Sequence, residues 1–102
     1  MADVDVTVEP AADADFLIKL QTPAWEVNIR MAAAEVAKLR AIREADWGGG
    51  LSIRAGESAR APVFWACERG VVTVMIGEDD ETWDVAVTVP IDAVDAIVQQ
   101  AR

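Results

Sequence analysis

Hydrophobic and polar residues alternate most clearly between Pro62 and Pro90, in the stretch PVFWACERGVVTVMIGEDDETWDVAVTVP. In Val71–Ile76 and Thr82–Val89 apolar side chains recur at every second position, and Val63–Cys67 is a shorter run in which every residue is apolar. Period-two alternation places successive side chains on opposite faces of a strand. The stretch therefore predicts three consecutive β-strands.

Two turns separate these strands. Glu68-Arg69-Gly70 ends in a glycine, which supplies the positive φ that a tight turn often needs. Gly77 is followed by four acidic residues, Glu78 to Glu81. A run of carboxylates cannot be buried without partners, so we expect a solvated hairpin tip. The arrangement predicted is an antiparallel meander.

The alternation also assigns faces on the last strand. Trp83, Val85, Val87 and Val89 share one side, which we expect to face the core. On that interpretation Trp83→Ala should cost about 3–5 kcal/mol, the usual range for a buried aromatic, and Thr82→Ala should cost little.

Three shorter segments elsewhere have the composition of strands. Residues 3–8, DVDVTV, alternate strictly, and Leu51–Ala55 alternates again. Phe16–Leu20 is apolar apart from Lys19; we interpret it as a strand, although a short helix beginning near Asp13 fits nearly as well.

A long helix is predicted before the meander. Thr22 and Pro23 are typical of an N-cap and a first helical turn, and Trp47–Gly50 ends the pattern with three glycines. Between them, apolar residues recur at spacings of three and four through Asp46: Trp25, Ile29, Ala32, Val36, Leu39 and Ile42.

A second interpretation of the same segment remains open. Trp25–Arg30 also alternates with period two and could form a strand, with the helix beginning near Asn28 or Met31. The single helix is favoured because a strand that runs into a helix without a loop is uncommon. A shorter helix is predicted for Ile91–Arg102, with Asp92 as its N-cap.

These elements predict one α+β domain over residues 1–102. We expect two layers: an antiparallel meander sheet of about five to six strands, and one long helix before and one short C-terminal helix after the meander, both packed on one face.

The charge distribution narrows the choice of partners. The formal net charge is −9, with five acidic and no basic residues in positions 1–18, and seven acidic and one basic in 70–102. Such a protein repels the phosphate backbone, so direct nucleic-acid binding is not expected. A basic protein surface is the expected partner, and a homodimer is also compatible with the sequence.

The single cysteine fits a reducing compartment, and the acidic N-terminus lacks the layout of a signal peptide. No apolar run approaches the roughly 20 residues of a membrane-spanning helix. We therefore expect a cytoplasmic protein that does not associate with membranes.

The sequence gives little support for a catalytic function. The chain has no histidine, which excludes histidine bases and Ser-His-Asp and Cys-His catalysis. Cys67 lies in an apolar strand and is interpreted as a buried structural thiol. Asp84 is the best single carboxylate for acid–base work, although a solvent-facing charge is the simpler interpretation. Arg54 and Arg60 could bind an anion, but isolated arginines are usually surface residues.

Metal and cofactor sites are not predicted. The acidic run Glu78–Glu81 lacks the ligand spacing of a calcium loop. The three glycines at 48–50 end a predicted helix instead of opening one, so they do not form a phosphate cradle. We expect the protein to fold without metal.

The four tryptophans are the most distinctive feature of the composition. Trp65 is either core or part of an exposed patch, and Trp47 lies at the predicted helix end; aromatic residues beside charges are typical of protein-binding hot spots. We name Trp47, Trp65, Asp79, Asp80, Glu81 and Asp84 as candidate partner-binding residues.

The function predicted is that of a non-enzymatic inhibitor that occludes a basic surface of a larger protein, as immunity proteins, antitoxins and anti-defence proteins do. One alternative is a subunit or scaffold that binds through a sheet edge. Another is a small carboxylate-based enzyme or ligand-binding domain.

Overall fold

The computed structural model describes residues 4–101, and in them seven antiparallel strands form one sheet in chain order. The strands are β1 (Asp5–Pro10), β2 (Asp15–Gln21), β3 (Glu26–Ala32), β4 (Ile53–Ser58), β5 (Ala61–Glu68), β6 (Val71–Gly77) and β7 (Trp83–Pro90). The helices are α1 (Ala33–Lys38) and α2 (Ile91–Gln100), with short 3-10 turns at Ala12–Ala14, Leu39–Glu44 and Trp47–Gly49. The predicted α+β class and antiparallel meander are confirmed. The predicted strand number is wrong, because a seventh strand lies inside the predicted long helix.

One face of the sheet, here called the inner face, carries the core. Paired strands place their apolar positions on it together, as in the pairs Leu20↔Val27 and Trp65↔Val74. The opposite side is called the outer face. Both helical regions pack into the inner-face core, α1 and the following 3-10 turn through Val36, Leu39 and Ile42, and α2 through Ala93, Val94 and Ile97.

The prediction of one long helix from Pro23 to Asp46 is wrong: its first ten residues, 23–32, form a turn and strand β3, and α1 has only six residues. Thr22 Oγ1 accepts the backbone N–H groups of Ala24 and Trp25 at 3.1 and 3.2 Å, and the Thr22 N–H donates to the Trp25 carbonyl at 2.8 Å. These bonds close a hairpin turn between β2 and β3. A helix N-cap threonine makes the same kind of bond, so Thr22-Pro23 carries the same local signal for either structure.

Strand β3 passes directly into α1, as the second interpretation of this segment required. Ala32 is extended (φ −73°, ψ 155°) and is both the last residue of β3 and the N-cap of α1. The Glu35 carboxylate accepts the Ala32 N–H at 3.1 Å through one oxygen and the Gly56 N–H at 2.9 Å through the other. Because the helix caps itself from its own first turn, no loop is needed at the junction.

The Glu35 carboxylate also stabilises the junction between β3 and β4, the two neighbouring strands with the fewest paired residues. Strands β3 and β4 share only the pair Arg30↔Glu57, next to a bulge in β4. Gly56 lies in that bulge with φ of 86°, and a Cβ there would come within 2.6 Å of Ile29. The site therefore requires glycine, and Glu35 ties it to the start of α1.

The two helical regions are also linked at the surface. Arg43 donates two hydrogen bonds to the Asp95 carboxylate, at 2.9 and 2.8 Å. These bonds hold the pKa of Asp95 below its usual value, because the guanidinium favours the ionised carboxylate. Both side chains are about half exposed, so the pair contributes little to stability.

The remaining predicted elements are found close to their expected positions. Asp3, the first residue of the predicted strand 3–8, lies outside the described residues. The strand observed in this region is β1, from Asp5 to Pro10. The segment Phe16–Leu20 is a strand. Helix α2 begins at Ile91 with Pro90 as its N-cap, so Asp92 lies in the first turn instead of capping it. Within residues 4–101 no helix has the length and apolar character needed to cross a membrane.

Candidate binding surface

Strand β7 changes face at its start because it contains one extra residue. Ile76 pairs with Val85, but the next pair is Gly77↔Trp83, which leaves Asp84 without a partner on β6. Paired residues point to the same side, so Val85 stays on the inner face while Trp83 turns to the outer face. The prediction that Trp83 belongs to the core is therefore wrong, and its side chain is 40% exposed.

Gly77 permits this irregularity. A Cβ at Gly77 would overlap the Trp83 Cα and lie too close to the Thr82 carbonyl oxygen, so only a glycine allows the bulged strand to approach so closely. The glycine predicted as a turn residue thus acts as a contact point for the backbone of β7.

The partly exposed Trp83 side chain contacts a second tryptophan that lies far from it in the sequence. The Trp47 and Trp83 rings lie edge to face, with centroids 6.3 Å apart and planes at 75°. Trp47 is 39% exposed, and Leu51 in the same loop is 54% exposed. The two indoles form a half-exposed aromatic pair on the outer face.

The loop that carries Trp47 lies across the sheet. At one end the Cys67 N–H donates to the Ala45 carbonyl at 2.8 Å, and at the other the Ser52 hydroxyl donates to Asp80 at 2.7 Å. On the outer face beneath, Ala66 and Met75 are only 1% exposed although they lie outside the main core. The loop and its tryptophan therefore act as a cover for β5 and β6.

At the acidic tip, some carboxylates accept hydrogen bonds that hold the turn and the loop, and others are exposed to solvent. Asp79 Oδ1 accepts the backbone N–H groups of Glu81 and Thr82 at 2.8 and 2.6 Å, so its side chain forms the turn. Asp80 holds the loop through Ser52. Glu81 and Asp84 are exposed on either side of Trp83 in the sequence. We call Trp47, Leu51, Trp83, Glu78–Glu81 and Asp84 together the hairpin surface.

Five of the six predicted partner-binding residues come together here: Trp47, Asp79, Asp80, Glu81 and Asp84. Trp65 does not. It is fully buried on the inner face, and its indole Nε1–H donates to the Ala55 carbonyl at 2.9 Å, so it belongs to the core. Sequence analysis missed Trp83 as a surface residue because the bulge that exposes it has no local signal.

The other candidate residues are either buried in the core or exposed to solvent. Cys67 is buried in the core cluster, as predicted. Asp84 is exposed at the bulge, where no apolar pocket surrounds it, and Arg54 and Arg60 are exposed. Among residues 4–101 no three acidic or cysteine side chains are placed so that together they could hold a metal ion.

Among the clefts that lie outside the hairpin surface, two are lined by exposed large hydrophobic residues. One, of about 290 Å³, is on the outer face of β1–β3 beside the exposed Leu17, and its lining includes Lys19 and Arg30. The other, of about 410 Å³, opens on the inner face between the start of β3 and the hairpin end of β6–β7, and its lining includes Val27, Ile76 and Val85.

Comparisons of this chain with protein-family models, with curated proteins and with solved structures gave no significant match.

Proposed function

We propose that this protein is a non-enzymatic binding domain that occludes a basic surface of a larger protein through the hairpin surface. The observation that carries the proposal is the half-exposed Trp47–Trp83 pair bordered by the exposed carboxylates of Glu81 and Asp84. Paired aromatic residues supply contact area, and the surrounding charges favour a partner of opposite sign.

The supports of this surface favour a rigid binding site. Ser52 fixes the loop to the tip, and Asp79 fixes the turn, so the tryptophans are held before a partner arrives. A surface that is already ordered loses less conformational entropy on binding. Exposed aromatic residues on a solvated turn would otherwise be costly to keep at the surface of a small domain.

The negative charge of the hairpin surface would act mainly on the rate at which the protein associates with its partner. The last third of the chain is strongly acidic, and the tip places four carboxylates in consecutive positions. A basic partner would be steered toward this tip and would relieve the repulsion among its carboxylates. Inhibition by occlusion, the activity of immunity proteins and antitoxins, needs no further chemistry from this chain.

The carboxylate-enzyme alternative draws less support. General acid catalysis by a carboxylate needs an apolar pocket that raises the pKa, and the favoured candidate Asp84 is exposed at a bulge.

The test is affinity capture from a lysate of the native host with three forms of the tagged protein: wild type, W47S/W83S, and the control L17S. Leu17 is 46% exposed on the other half of the outer face, so L17S removes exposed apolar surface without touching the hairpin. We expect a basic protein captured by wild type and L17S, and about tenfold or more weaker binding of that protein by W47S/W83S. Equal capture by all three forms would remove the hairpin surface from the interface.

A further inference from the structure

The sheet ends in two edge strands that differ in protection. β1 carries Asp5, Thr7 and Glu9 on its outer face and ends in Pro10, which cannot donate to another strand. β7 likewise ends in a proline, Pro90, and carries Asp84 near its start, but the five residues between them, VAVTV from Val85 to Val89, contain neither charge nor proline. Charged side chains and prolines are the usual means by which native sheets prevent edge pairing. The centre of β7 has neither.

The register shows which backbone groups of β7 are open. The Ile91 N–H donates to the Gly70 carbonyl at 3.0 Å, so the neighbouring pair Val71↔Pro90 is of the non-hydrogen-bonded kind. Alternation along the ladder makes Thr88 and Ala86 non-hydrogen-bonded toward β6 as well. Their N–H and C=O groups point away from β6, and both residues are exposed. At the Thr88 end the edge borders a cleft of about 420 Å³ that is also lined by Thr22 and Trp25 of the β2–β3 turn. Within residues 4–101 no strand pairs with this edge.

We infer that the β7 edge from Val85 to Val89 accepts an extended segment of the basic partner as an eighth strand. This inference rests on the proposed function and specifies how the partner binds. A segment of about five residues, roughly 17 Å long, would match the open length. Ala86 and Thr88 would each donate and accept one hydrogen bond.

The side chains of such a strand would meet different surroundings on its two faces. On the inner face, alternate residues would cover Val85, which is 49% exposed, and the 410 Å³ cleft that it lines with Val27 and Ile76. On the outer face, the other side chains of the added strand would lie beside the small residues Ala86 and Thr88. The expected segment therefore alternates apolar and basic residues.

Charge favours a basic segment over a second copy of this chain. Asp84 lies at one end of the open edge and Asp92 just beyond the other. Two copies paired through β7 would bring together protomers that each carry a net charge of −9. A segment with alternating lysines or arginines would instead find a carboxylate near each end.

The test uses an acetylated, amidated peptide of alternating Lys and Val residues as the probe, with amide hydrogen exchange measured by NMR. We expect exchange at Ala86 and Thr88 to slow about tenfold or more at saturating peptide, which is the protection that new hydrogen bonds provide. The same peptide N-methylated on its pairing edge should give no protection. A86P should abolish binding because it removes an outward N–H, whereas the control L17S, which changes no residue of the β7 edge, should bind normally.

Each outcome decides between the two proposals. If the Lys/Val peptide perturbs Trp47 and Trp83 but leaves exchange at Ala86 and Thr88 unchanged, strand addition is wrong and the proposed function stands. If a Glu/Val peptide protects the edge equally well, the edge binds strands but the preference for a basic partner fails. Protection that rises with protein concentration in the absence of peptide, or no protection under any condition, would overturn the inference.

Discussion

The β2–β3 and β6–β7 hairpins start from similar alternating sequences and have different roles. β2 and β3 pair without interruption from Asp15↔Ala32 to Gln21↔Glu26, and their inner-face residues are buried except for the partly buried Phe16. The β6–β7 ladder shifts register after Ile76, and most of β7 before Val87 is exposed. The first hairpin therefore stabilises the core, whereas the distal half of the second presents side chains to solvent. The extra residue, Asp84, accounts for the outward position of Trp83, whereas Val85 and Ala86 are exposed on an edge strand that no further strand covers within residues 4–101.

The largest expected contrast is between inner-face residues of the two hairpins. Leu20 in β2 is fully buried, and Val85 in β7 is half exposed. Leu20→Ala should lower the free energy of unfolding by about 2–5 kcal/mol, while Val85→Ala should lower it by less than about 1 kcal/mol. Urea denaturation followed by circular dichroism measures both. Equal losses would show that the end of β7 is packed as firmly as β2.

The second contrast concerns the glycine that admits the bulge. Gly77→Ala should cost about 1–3 kcal/mol, because the new methyl group would overlap the backbone of Trp83 and Thr82. Gly48→Ala is the matched control, since the nearest atom to a Cβ there is an Asp46 carboxylate oxygen at 3.4 Å. If G77A and G48A were equally stable, the close approach of β7 to Gly77 would be contradicted.

A smaller effect is expected at the aromatic pair. Trp83→Ala should cost about 1 kcal/mol, from the lost edge-to-face contact with Trp47 and partial burial, instead of the 3–5 kcal/mol expected for a core tryptophan. Thr82→Ala, which keeps the indole pair, serves as the reference. A loss above about 3 kcal/mol for W83A alone would place Trp83 in the core after all.

These contrasts also show how far local sequence signals reach. The meander and its turns could be predicted because period-two alternation and the glycine at position 70 act over a few residues. The C-terminal helix could be predicted for the same reason, from apolar residues spaced three apart from Ile91. Residues 25–31 satisfied both a helical and an alternating pattern, and Thr22 made similar backbone contacts possible in either structure. Only the pairing of β3 with β2, a tertiary interaction, decides between them.

The candidate site was predictable in composition and not in geometry. The acidic residues could be placed on a hairpin because they follow Gly77 directly in sequence. The contact between Trp47 and Trp83 joins positions far apart in the chain, and the bulge that turns Trp83 outward has no side-chain signature. Glu35 was missed for a related reason: its role as a cap becomes visible only when the helix is known to begin at Ala33.

The central claim is that the acidic end of the β6–β7 hairpin receives a basic partner. The most direct measurement is the association rate of the captured partner, as a function of salt, with E81Q/D84N and with the control D5N/E9Q. Both variants neutralise two exposed carboxylates, in the first case on the hairpin surface and in the second on β1. Asp79 and Asp80 are left intact because they hold the turn and the loop.

The account predicts that E81Q/D84N slows association about tenfold at low salt and weakens its salt dependence, while D5N/E9Q changes both much less. Equal effects of the two variants would mean that only the net charge matters. Unchanged rates and salt dependence for E81Q/D84N would contradict the claim that the hairpin surface binds the partner.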